Sequence, residues 1–334
     1  MAANLTPQYL KAEEQYRRAA TSEEQLKWLE AMLRELPKHK ASEKMQSELK
    51  QKISRTKKEA ESDRQSGGKK GHGVSIPRQG AGTAIILGGP NAGKSQLLAA
   101  LTRATPEVAP YPFTTRAPLP GMMPWEDVMV QLLDTPPITP DYFEPYMQGL
   151  IRGADLALLM VDLGADEGIE QAQELLEKLN GTKTRLAARS YLDEDDVGLS
   201  FTGTLLAPNK IDLPDAAERL ELFRELCRLD FPEYVVSAQT GTGVEELRTA
   251  IFQALDVIRV YTKLPTAKAA DMERPFTIRR GGTVLDVAGM IHKDFQANFK
   301  SARVWGANVH DGTPVKGDYQ PHDRDILELH IAGA

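Results

Sequence analysis

Apolar residues in the first 65 positions recur every three or four residues, which is the spacing of helices with one buried face. Thr6 followed by Pro7 is a typical helix start, and it predicts a helix that runs to about Ala20. The same spacing recurs before Pro37 and again after Ser42, in two apolar sets: Leu26, Leu29, Leu33 and Leu36, and Met45, Leu49 and Ile53. Three helices are therefore expected, followed by a Gly- and Lys-rich linker.

The pattern changes at Thr83, where short apolar runs begin to alternate with helical segments. The runs "TAIILGG", "VMVQLLD", "DLALLMVDL", "TGTLLAPNK" and "EYVVSA" predict strands, and the later helices are expected at 214–229 and 243–256. Strands that alternate with helices indicate an α/β domain, with a mostly parallel sheet and helices on both faces. Residues 181–200 are polar and weakly patterned, so a loop or small insertion is expected there.

The last sixty residues follow a different order. "FTIRR" predicts a strand, Gly281 and Gly282 a turn, "TVLDVAGMIH" a helix, and "ARVWG" and "DILELHIA" two further strands. This order indicates a small α+β domain. The predicted division is 1–75 for the helical region and linker, 80–260 for the α/β domain and 273–333 for the small domain.

Composition supports a globular protein with several cores, because the 334 residues are 41% hydrophobic and 26% charged. No apolar run approaches the length of a membrane span, and the first residues lack the apolar core of a signal peptide. A cytoplasmic protein that does not associate with a membrane is therefore expected. The single cysteine, Cys227, occupies a helical apolar position and is expected to be a packed thiol. The six histidines lack metal-ligand spacing.

Charge is distributed unevenly. Residues 1–75 contain 16 Lys and Arg against 11 Asp and Glu, whereas residues 76–334 contain 25 against 36. The net charge is therefore +5 in the first part and −11 in the rest, which gives −6 in total. Such a basic region suggests an anionic partner, and an ordinary solvated helix surface is the alternative.

Directly after the first predicted strand, "GGPNAGKS" fits the eight-position phosphate-loop pattern, in the strand-to-helix context that the pattern requires. Backbone N–H groups of such a loop surround the phosphates, Lys94 bridges the terminal phosphates and the Ser95 hydroxyl holds Mg²⁺. The residues expected to contact the phosphates are Gly88, Gly89, Pro90, Asn91, Ala92, Gly93, Lys94, Ser95 and Gln96.

Two further strings choose between ATP and GTP. "NKID" at 209–212 ends a strand, and the Asp212 carboxylate can accept two hydrogen bonds from guanine, a donor pair that adenine lacks. "SAQTG" follows, where the backbone N–H of Ala238 can meet guanine O6. The predicted ligand is therefore GTP or GDP, with a base pocket built from Asn209, Lys210, Asp212, Ser237, Ala238 and Gln239.

Together with Asp134, the strings "GGPNAGKS", "YPFTTRAPLPG", "DTPP", "NKID" and "SAQ" resemble the Obg family of GTPases and its developmentally regulated GTP-binding (DRG) branch. The tail "FTIRRGGTVLDVAGMIHKDF" looks like a TGS domain of β-grasp fold, in which His292 and Phe295 are expected to contribute to packing. The resemblance implies a P-loop G domain, preceded by a helical hairpin region and followed by a TGS domain. DRG proteins also have an inserted domain, for which residues 164–200 are too few.

The resemblance also implies roles for the switch residues. Thr115, in preference to Thr114, would close on Mg²⁺ and the γ-phosphate, and Asp134 would reach the metal through water. The water-orienting glutamine of some relatives falls at Ile138, which implies slow intrinsic hydrolysis. Asn91 stands where several GTPases coordinate K⁺, although a loop-stabilising role is as well supported. Arg116 is expected to have a surface or phosphate-screening role rather than to act in cis.

One departure concerns the second switch. The family pattern has glycine three residues after the aspartate, whereas this chain has Pro137, preceded by the usual proline at Pro136. Since proline has no backbone N–H, the hydrogen bond that this glycine gives to the γ-phosphate cannot form.

Three functions follow from the resemblance. The first is a GTPase switch at the ribosome or its RNA, including rRNA or tRNA, with a protein regulator as a further partner. The second is a switch that recruits only a protein, and the third is a nucleotide-binding scaffold that has lost hydrolysis.

Overall fold

In the computed structural model, which describes residues 6–19, 22–36, 43–65, 76–102, 118–193, 196, 198–267 and 269–332, three helices precede the sheet. Helix α1 (Pro7–Arg18) packs on α2 (Ser22–Glu35), which in turn packs on α3 (Glu43–Gln65). Thr6 caps α1 by accepting a hydrogen bond from the backbone N–H of Tyr9. The hairpin region is thus a layer of three helices with its own apolar core around Leu29.

The central sheet has seven strands. They are β1 (Thr83–Gly88), β2 (Leu119–Trp125), β3 (Val128–Asp134), β4 (Leu156–Asp162), β5 (Thr184–Ala187), β6 (Tyr191–Leu192) and β7 (Ser200–Asn209). The order is β2-β3-β1-β4-β7-β5, with β6 paired to β7; β2 and β6 run antiparallel and the other strands are parallel.

Helices cover both faces of this sheet. The apolar core on one face includes α4 (Lys94–Thr102) and α8 (Val244–Ala254). The core on the other face includes α5 (Pro145–Gly153), α6 (Glu167–Asn180) and α7 (Ala216–Cys227). Side chains of β1 alternate between the two cores, so the strand that leads into the phosphate loop is buried on both sides. Cys227 packs at the edge of the second core, where burial raises the pKa of its thiol, as expected for a packed cysteine.

Two sequence predictions for this domain were wrong. Residues 181–200 contain the short strands β5 and β6, which pair with β7 and widen the sheet. The run "EYVVSA" lies parallel to β7 without forming a regular strand. The backbone N–H groups of Tyr234 and Val236 donate to the carbonyls of Leu206 and Pro208, but Pro208 has no N–H with which to continue the ladder.

The C-terminal part forms a second, five-stranded sheet. Its elements are β8 (Val257–Thr262), β9 (Asp271–Arg279), α9 (Val284–Ile291), α10 (Lys293–Ala297), β10 (Phe299–Gly306), β11 (Val309–Val315) and β12 (Asp325–Ile331). The strand order is β11-β10-β12-β8-β9, with β8 and β12 parallel. Since β8 belongs to this sheet, the second domain begins close to Val257 rather than at residue 273.

Arg248 of α8 joins the end of the phosphate-loop helix to the β2–β3 hairpin. Its buried guanidinium donates to the carbonyl oxygens of Leu101 (2.5 Å) and Pro124 (3.2 Å). The last carbonyls of a helix have no partner within the helix, so this side chain supplies one.

No helix among the described residues is long and apolar enough to cross a membrane.

Replacing Arg248 with methionine should destabilise the protein, because it leaves buried carbonyl oxygens without donors. We expect a loss of about 2–3 kcal/mol, measured from the midpoint of urea unfolding. Arg224→Met is the matched control, since Arg224 bonds the side chains of Glu221 and Glu233 near the surface and its loss should cost less than about 1 kcal/mol. Equal midpoints for the two variants would contradict this assignment.

Candidate nucleotide-binding site

The phosphate loop starts where β1 ends, and its backbone conformation depends on small residues. Asn91 and Gly93 have φ angles of 58° and 90°, in the left-handed region. A Cβ atom at Gly93 would lie 2.4 Å from Nδ2 of Asn209, and one at Gly89 would lie 2.5 Å from Oε1 of Gln171. Glycine is favoured at position 93 by its φ angle, and at position 89 because a Cβ there would also lie 2.8 Å from the Cβ of Gln171.

Lys94 is buried at the start of α4. Its ammonium donates to the carbonyl oxygens of Gly88 (3.1 Å) and Gly89 (2.9 Å), so the side chain folds back over the loop. Burial lowers the pKa of Lys94 to about 8, partly offset by the charge of Asp134. The protein itself thus balances the positive charge of the Lys94 ammonium only in part, and an anionic phosphate would supply the missing negative charge.

Ser95 and Asp134 meet at the carboxyl edge of the sheet. The Ser95 hydroxyl donates to Oδ2 of Asp134 at 2.5 Å, while Oδ1 of Asp134 is buried and has no hydrogen-bond partner among the described residues. Burial raises the pKa of the Asp134 carboxyl, against the opposing effects of Ser95 and Lys94. A hydroxyl and a carboxylate are the hard oxygen ligands that Mg²⁺ prefers, so the residues present fit this metal.

On the base side, Asn209 joins two loops. Its Nδ2 donates to the carbonyl oxygen of Ala92 in the phosphate loop (2.9 Å), and its Oδ1 accepts from the backbone N–H of Ala238 (3.0 Å). Ser237 is fully buried and its hydroxyl accepts from the N–H of Thr240, which closes the second loop. Asn209 thereby holds the loop around Ala238 against the phosphate loop.

The other base-side residues lie nearer to solvent. Gln96 of α4 donates to the side-chain oxygen of Gln239, a second link between the two loops. Asp212 is exposed, as a carboxylate that binds a ligand from solution must be. Lys210 pairs with Asp162 (2.6 Å).

The segment predicted to be the second switch is fixed by hydrogen bonds directly after Asp134. The Thr135 hydroxyl donates to the carbonyl oxygen of Ile86 (2.6 Å), and the N–H of Ile138 donates to the carbonyl oxygen of Gly88 (3.4 Å). The Ile138 side chain is 2% exposed and packs in the core, which is incompatible with any role in orienting water. Pro137, by contrast, is exposed and lines the cleft.

An open cleft of about 940 Å³ contains the phosphate side of the site. Of the residues predicted from the sequence, its lining includes Pro90, Asn91, Ala92, Gly93, Lys94, Ser95, Gln96, Asp134 and Lys210. Gly88 and Gly89 lie behind it in the loop, and Asn209 and Ala238 are connected to it through Ala92. The predictions for Thr114, Thr115 and Arg116 fall outside the described residues.

In the TGS part, the packing prediction was wrong for His292. Its side chain is exposed and accepts a hydrogen bond from the N–H of Asp294, so it caps α10, with the ring of Phe295 edge-on at 6.5 Å. No group of three or more His, Cys, Asp or Glu side chains that could hold a metal ion occurs among the described residues.

Sequence reasoning missed Asp162, Thr135 and Tyr142. Asp162 ends β4 and pairs in register with Asn209, and Thr135 and Tyr142 line the cleft. Asp162 could have been found, because it ends a second buried strand in the same way as Asp134. Tyr142 could not, because a backbone hydrogen-bond pair with Thr139 forms the turn that brings it back to the cleft.

Comparisons with known proteins agree with this geometry. A family profile described as "50S ribosome-binding GTPase" matches residues 83–189, and a TGS domain profile matches residues 258–325. An uncharacterized GTP-binding protein of Methanocaldococcus jannaschii is 30% identical over an alignment of 366 positions, which covers 92% of this chain and 93% of that protein. This chain belongs to the family of DRG-like GTP-binding proteins.

Other relatives carry the DRG name. The developmentally-regulated GTP-binding protein 2 homolog of Dictyostelium discoideum is 27% identical, with 92% of this chain and 98% of that protein covered. Since the 366 aligned positions exceed the 334 residues of this chain, the Methanocaldococcus relative contains residues that have no counterpart here. In the solved YchF GTPase of Schizosaccharomyces pombe the fold is shared, with a TM-score of 0.50, 14% identity, and 76% of this chain and 99% of that chain covered. The chain thus combines a GTP- and GDP-binding G domain with a TGS domain, as the sequence predicted.

The buried amine of this DRG-like protein predicts a pH dependence of nucleotide binding. Phosphates stabilise the ammonium form of Lys94 and so raise its pKa above about 8, which means that binding takes up a proton at higher pH. The affinity for GDP should therefore be insensitive to this group below pH 8 and fall by up to about tenfold per unit above it.

Titration with fluorescent GDP between pH 7 and about 9 tests this prediction. Lys94→Ala should bind more weakly throughout and lose the decline above pH 8, because no amine remains to take up the proton. A decline of the same slope in this variant would assign the effect to another group.

Proposed function

We propose that the protein is a GTP-operated switch whose nucleotide state is passed to the TGS domain through the β2–β3 hairpin. The observation that carries this proposal is the position of that hairpin. One end of β3 is Asp134 in the nucleotide site, and the turn at the other end, Glu126 and Asp127, lies against the TGS sheet.

Arg259 of β8 is the centre of this contact. Its guanidinium, with a side chain only 4% exposed, donates to Asp127 (2.9 Å), to Glu126 and to Asp323 (2.7 Å). The hydrogen bond to Asp323 contributes most to raising the pKa of Arg259 above its ordinary value. Two carboxylates of the hairpin and one of the TGS domain therefore share a single buried cation.

Further contacts strengthen this joint, by which we mean the contact of Glu126 and Asp127 with Arg259 and Asp323. The hydroxyl of Tyr261 donates to Asp127, and Arg324 bonds Glu126 at 2.6 Å. Trp125 of β2 stacks on Phe252 of α8 at 3.7 Å, and the guanidinium of Arg259 lies 5.2 Å from the Trp125 ring. Since the two strands of the hairpin pair in unbroken register over seven residues, movement of Asp134 would displace the joint as well.

Removing one hairpin carboxylate tests the proposed path. Hydrogen exchange of β8 and β9 should differ between the GDP state and the state with a non-hydrolysable GTP analogue, and Asp127→Ala should abolish most of that difference while keeping GDP affinity. Lys263→Met is the control, because it removes an ion pair with Glu328 inside the TGS sheet and should leave the difference intact. A nucleotide-dependent difference that survives Asp127→Ala would overturn this part of the proposal.

Hydrolysis is proposed to depend on Mg²⁺ and to be slow. When bound, Mg²⁺ would supply charge stabilisation for the phosphates, held by Ser95 and, through water, by Asp134, with Thr115 as the further residue implied by the family. Lys94 neutralises the terminal phosphates, while buried Ile138 offers nothing to orient water. The role of Asn91 toward K⁺ stays a prediction, and equal hydrolysis rates in Na⁺ and K⁺ would remove it.

Pro137→Gly should increase the preference for GTP over GDP. A backbone N–H at this exposed position in the cleft would be available to the γ-phosphate, and one charge-assisted hydrogen bond contributes roughly 1.5–3 kcal/mol, or about ten- to a hundredfold in affinity. Competition between the GTP analogue and fluorescent GDP measures the ratio. Pro140→Gly in the adjacent turn is the control for loop flexibility, and an equal increase there would contradict the assigned hydrogen bond.

We also propose that the switch acts in the cytoplasm at the ribosome or its RNA. The supporting observations are the description of the matching family profile and the exposed basic side chains of Lys50, Arg55 and Lys57 on α3. The second candidate function is a switch that recruits a protein and does not contact RNA. It is favoured if the partner binds the ion-paired side chains of the N-terminal helices rather than their basic face.

Salt-dependent cosedimentation with ribosomes separates these candidates. Binding should weaken steeply with salt, and joint replacement of Lys50, Arg55 and Lys57 by glutamine should reduce the salt slope by about three. The control is a variant in which glutamine replaces three arginines on and beside α7, namely Arg219, Arg224 and Arg228. Salt-insensitive binding favours a protein partner, and single-turnover GTP hydrolysis in the free chain excludes a scaffold without hydrolysis.

A further inference from the structure

A second cavity lies where the N-terminal helices, the G domain and the TGS domain meet. Its volume is about 1170 Å³, larger than that of the nucleotide cleft, and its lining includes residues of α1, α3, the start of β4 and the turn after β9. Neither the phosphate loop nor the base-side loops contribute to it. Its chemistry is therefore independent of the GTP site.

Arginines from three parts of the chain converge on one carboxylate at this cavity. Oδ1 of Asp155 lies 2.7 Å from Arg18 of α1 and 3.4 Å from Arg279 of β9, and Oδ2 bonds Arg78. Oδ2 also accepts from the backbone N–H of Thr83 (2.9 Å). Three guanidinium groups thus share a carboxylate whose second oxygen is already bonded to the backbone.

The charges of Asp155 and Glu14 also act on a fourth arginine, Arg17. Arg17 is 6% exposed, and its Nη1 is buried without a hydrogen-bond partner among the described residues. Nε of Arg18 is likewise buried without a hydrogen-bond partner among these residues. Burial, together with the charges of Arg18 and Arg279, lowers the pKa of Arg17 to about 10.

Charge balance around these side chains is positive. The second carboxylate in the cluster, Glu14, bonds Arg18 (2.6 Å) and Arg279 (2.9 Å). Four guanidinium groups therefore face two carboxylates in this cluster. The whole cavity lining has seven Lys and Arg residues against six Asp and Glu residues, so the positive excess is concentrated around Asp155. Guanidinium forks match phosphate oxygens in pairs, which is why arginine is common in phosphate sites.

We propose that this cavity binds a phosphorylated small molecule with at least two negative charges, with its phosphates on the cluster formed by Arg17, Arg18, Arg78 and Arg279. The remaining wall includes the exposed side chains of Leu10, Tyr191 and Met290, which give an organic body apolar surface beside the phosphates. Such a ligand joins the helical layer and the TGS domain to the G domain, in addition to the joint at Arg259. The proposal does not rest on the proposed switch function.

Calorimetric titration of the full chain, saturated with GDP and at constant free Mg²⁺, with inorganic pyrophosphate tests the proposal. GDP occupies the phosphate loop, so saturable one-to-one binding reports on the second cavity. We expect Arg279→Gln to weaken this binding at least tenfold. Arg274→Gln, which is exposed on the same strand and does not line the cavity, should bind as the wild type does.

Asp155→Asn distinguishes a ligand site from a purely structural ion-pair cluster. Removing the competing carboxylate should strengthen pyrophosphate binding at least threefold, whereas a structural cluster would lose thermal stability and gain no affinity. The proposal is overturned by the absence of saturable binding up to millimolar pyrophosphate, or by unchanged affinity in Arg279→Gln. A preference for pyrophosphate over inorganic phosphate supports it, and equal weak binding of both marks an adventitious anion only.

Discussion

Parallel register is the constraint on which the site depends. Asp134 pairs with Ile86, Met160 with Gly88, and Asp162 with Asn209, so β1, β3, β4 and β7 all end at one edge of the sheet. A one-residue slip in any strand would turn its terminal side chain to the other face. Buried residues that point alternately to the two apolar cores fix that register, and with it the positions of the phosphate loop, the Asp134 carboxylate and the base-side loop.

Local signals therefore predicted most of the residues that line the candidate nucleotide cleft. The phosphate loop and the "NKID" string are short motifs at strand ends, and their chemistry depends on neighbours in sequence. The predictions failed where the pairing of strands that are distant in sequence determines the structure. Residues 184–187 and 191–192 are too short and polar to reveal strands. Strand β8 was not predicted, and its first residues were placed in the α/β domain because they follow the last helix of that domain directly.

The contacts between domains lay beyond sequence reasoning for a similar reason. Arg259 is separated from Asp127 by 132 residues, and Arg18 from Asp155 by 137. Both joints use the same chemistry, a guanidinium shared among carboxylates in partly buried surroundings, but with opposite charge balance. At Arg259 the carboxylates outnumber the cation, whereas around Asp155 the cations outnumber the carboxylates. Such pairing is costly to break and therefore holds domains in a fixed relative position.

The two prolines after Asp134 have a consequence for entropy. Proline restricts the unfolded and open conformations of a segment, and the buried side chain of Ile138 anchors its end in the core. Ordering this switch on nucleotide binding therefore removes little conformational freedom, because little remains to be lost. Little of the binding free energy of a phosphate at this segment is therefore spent on ordering it.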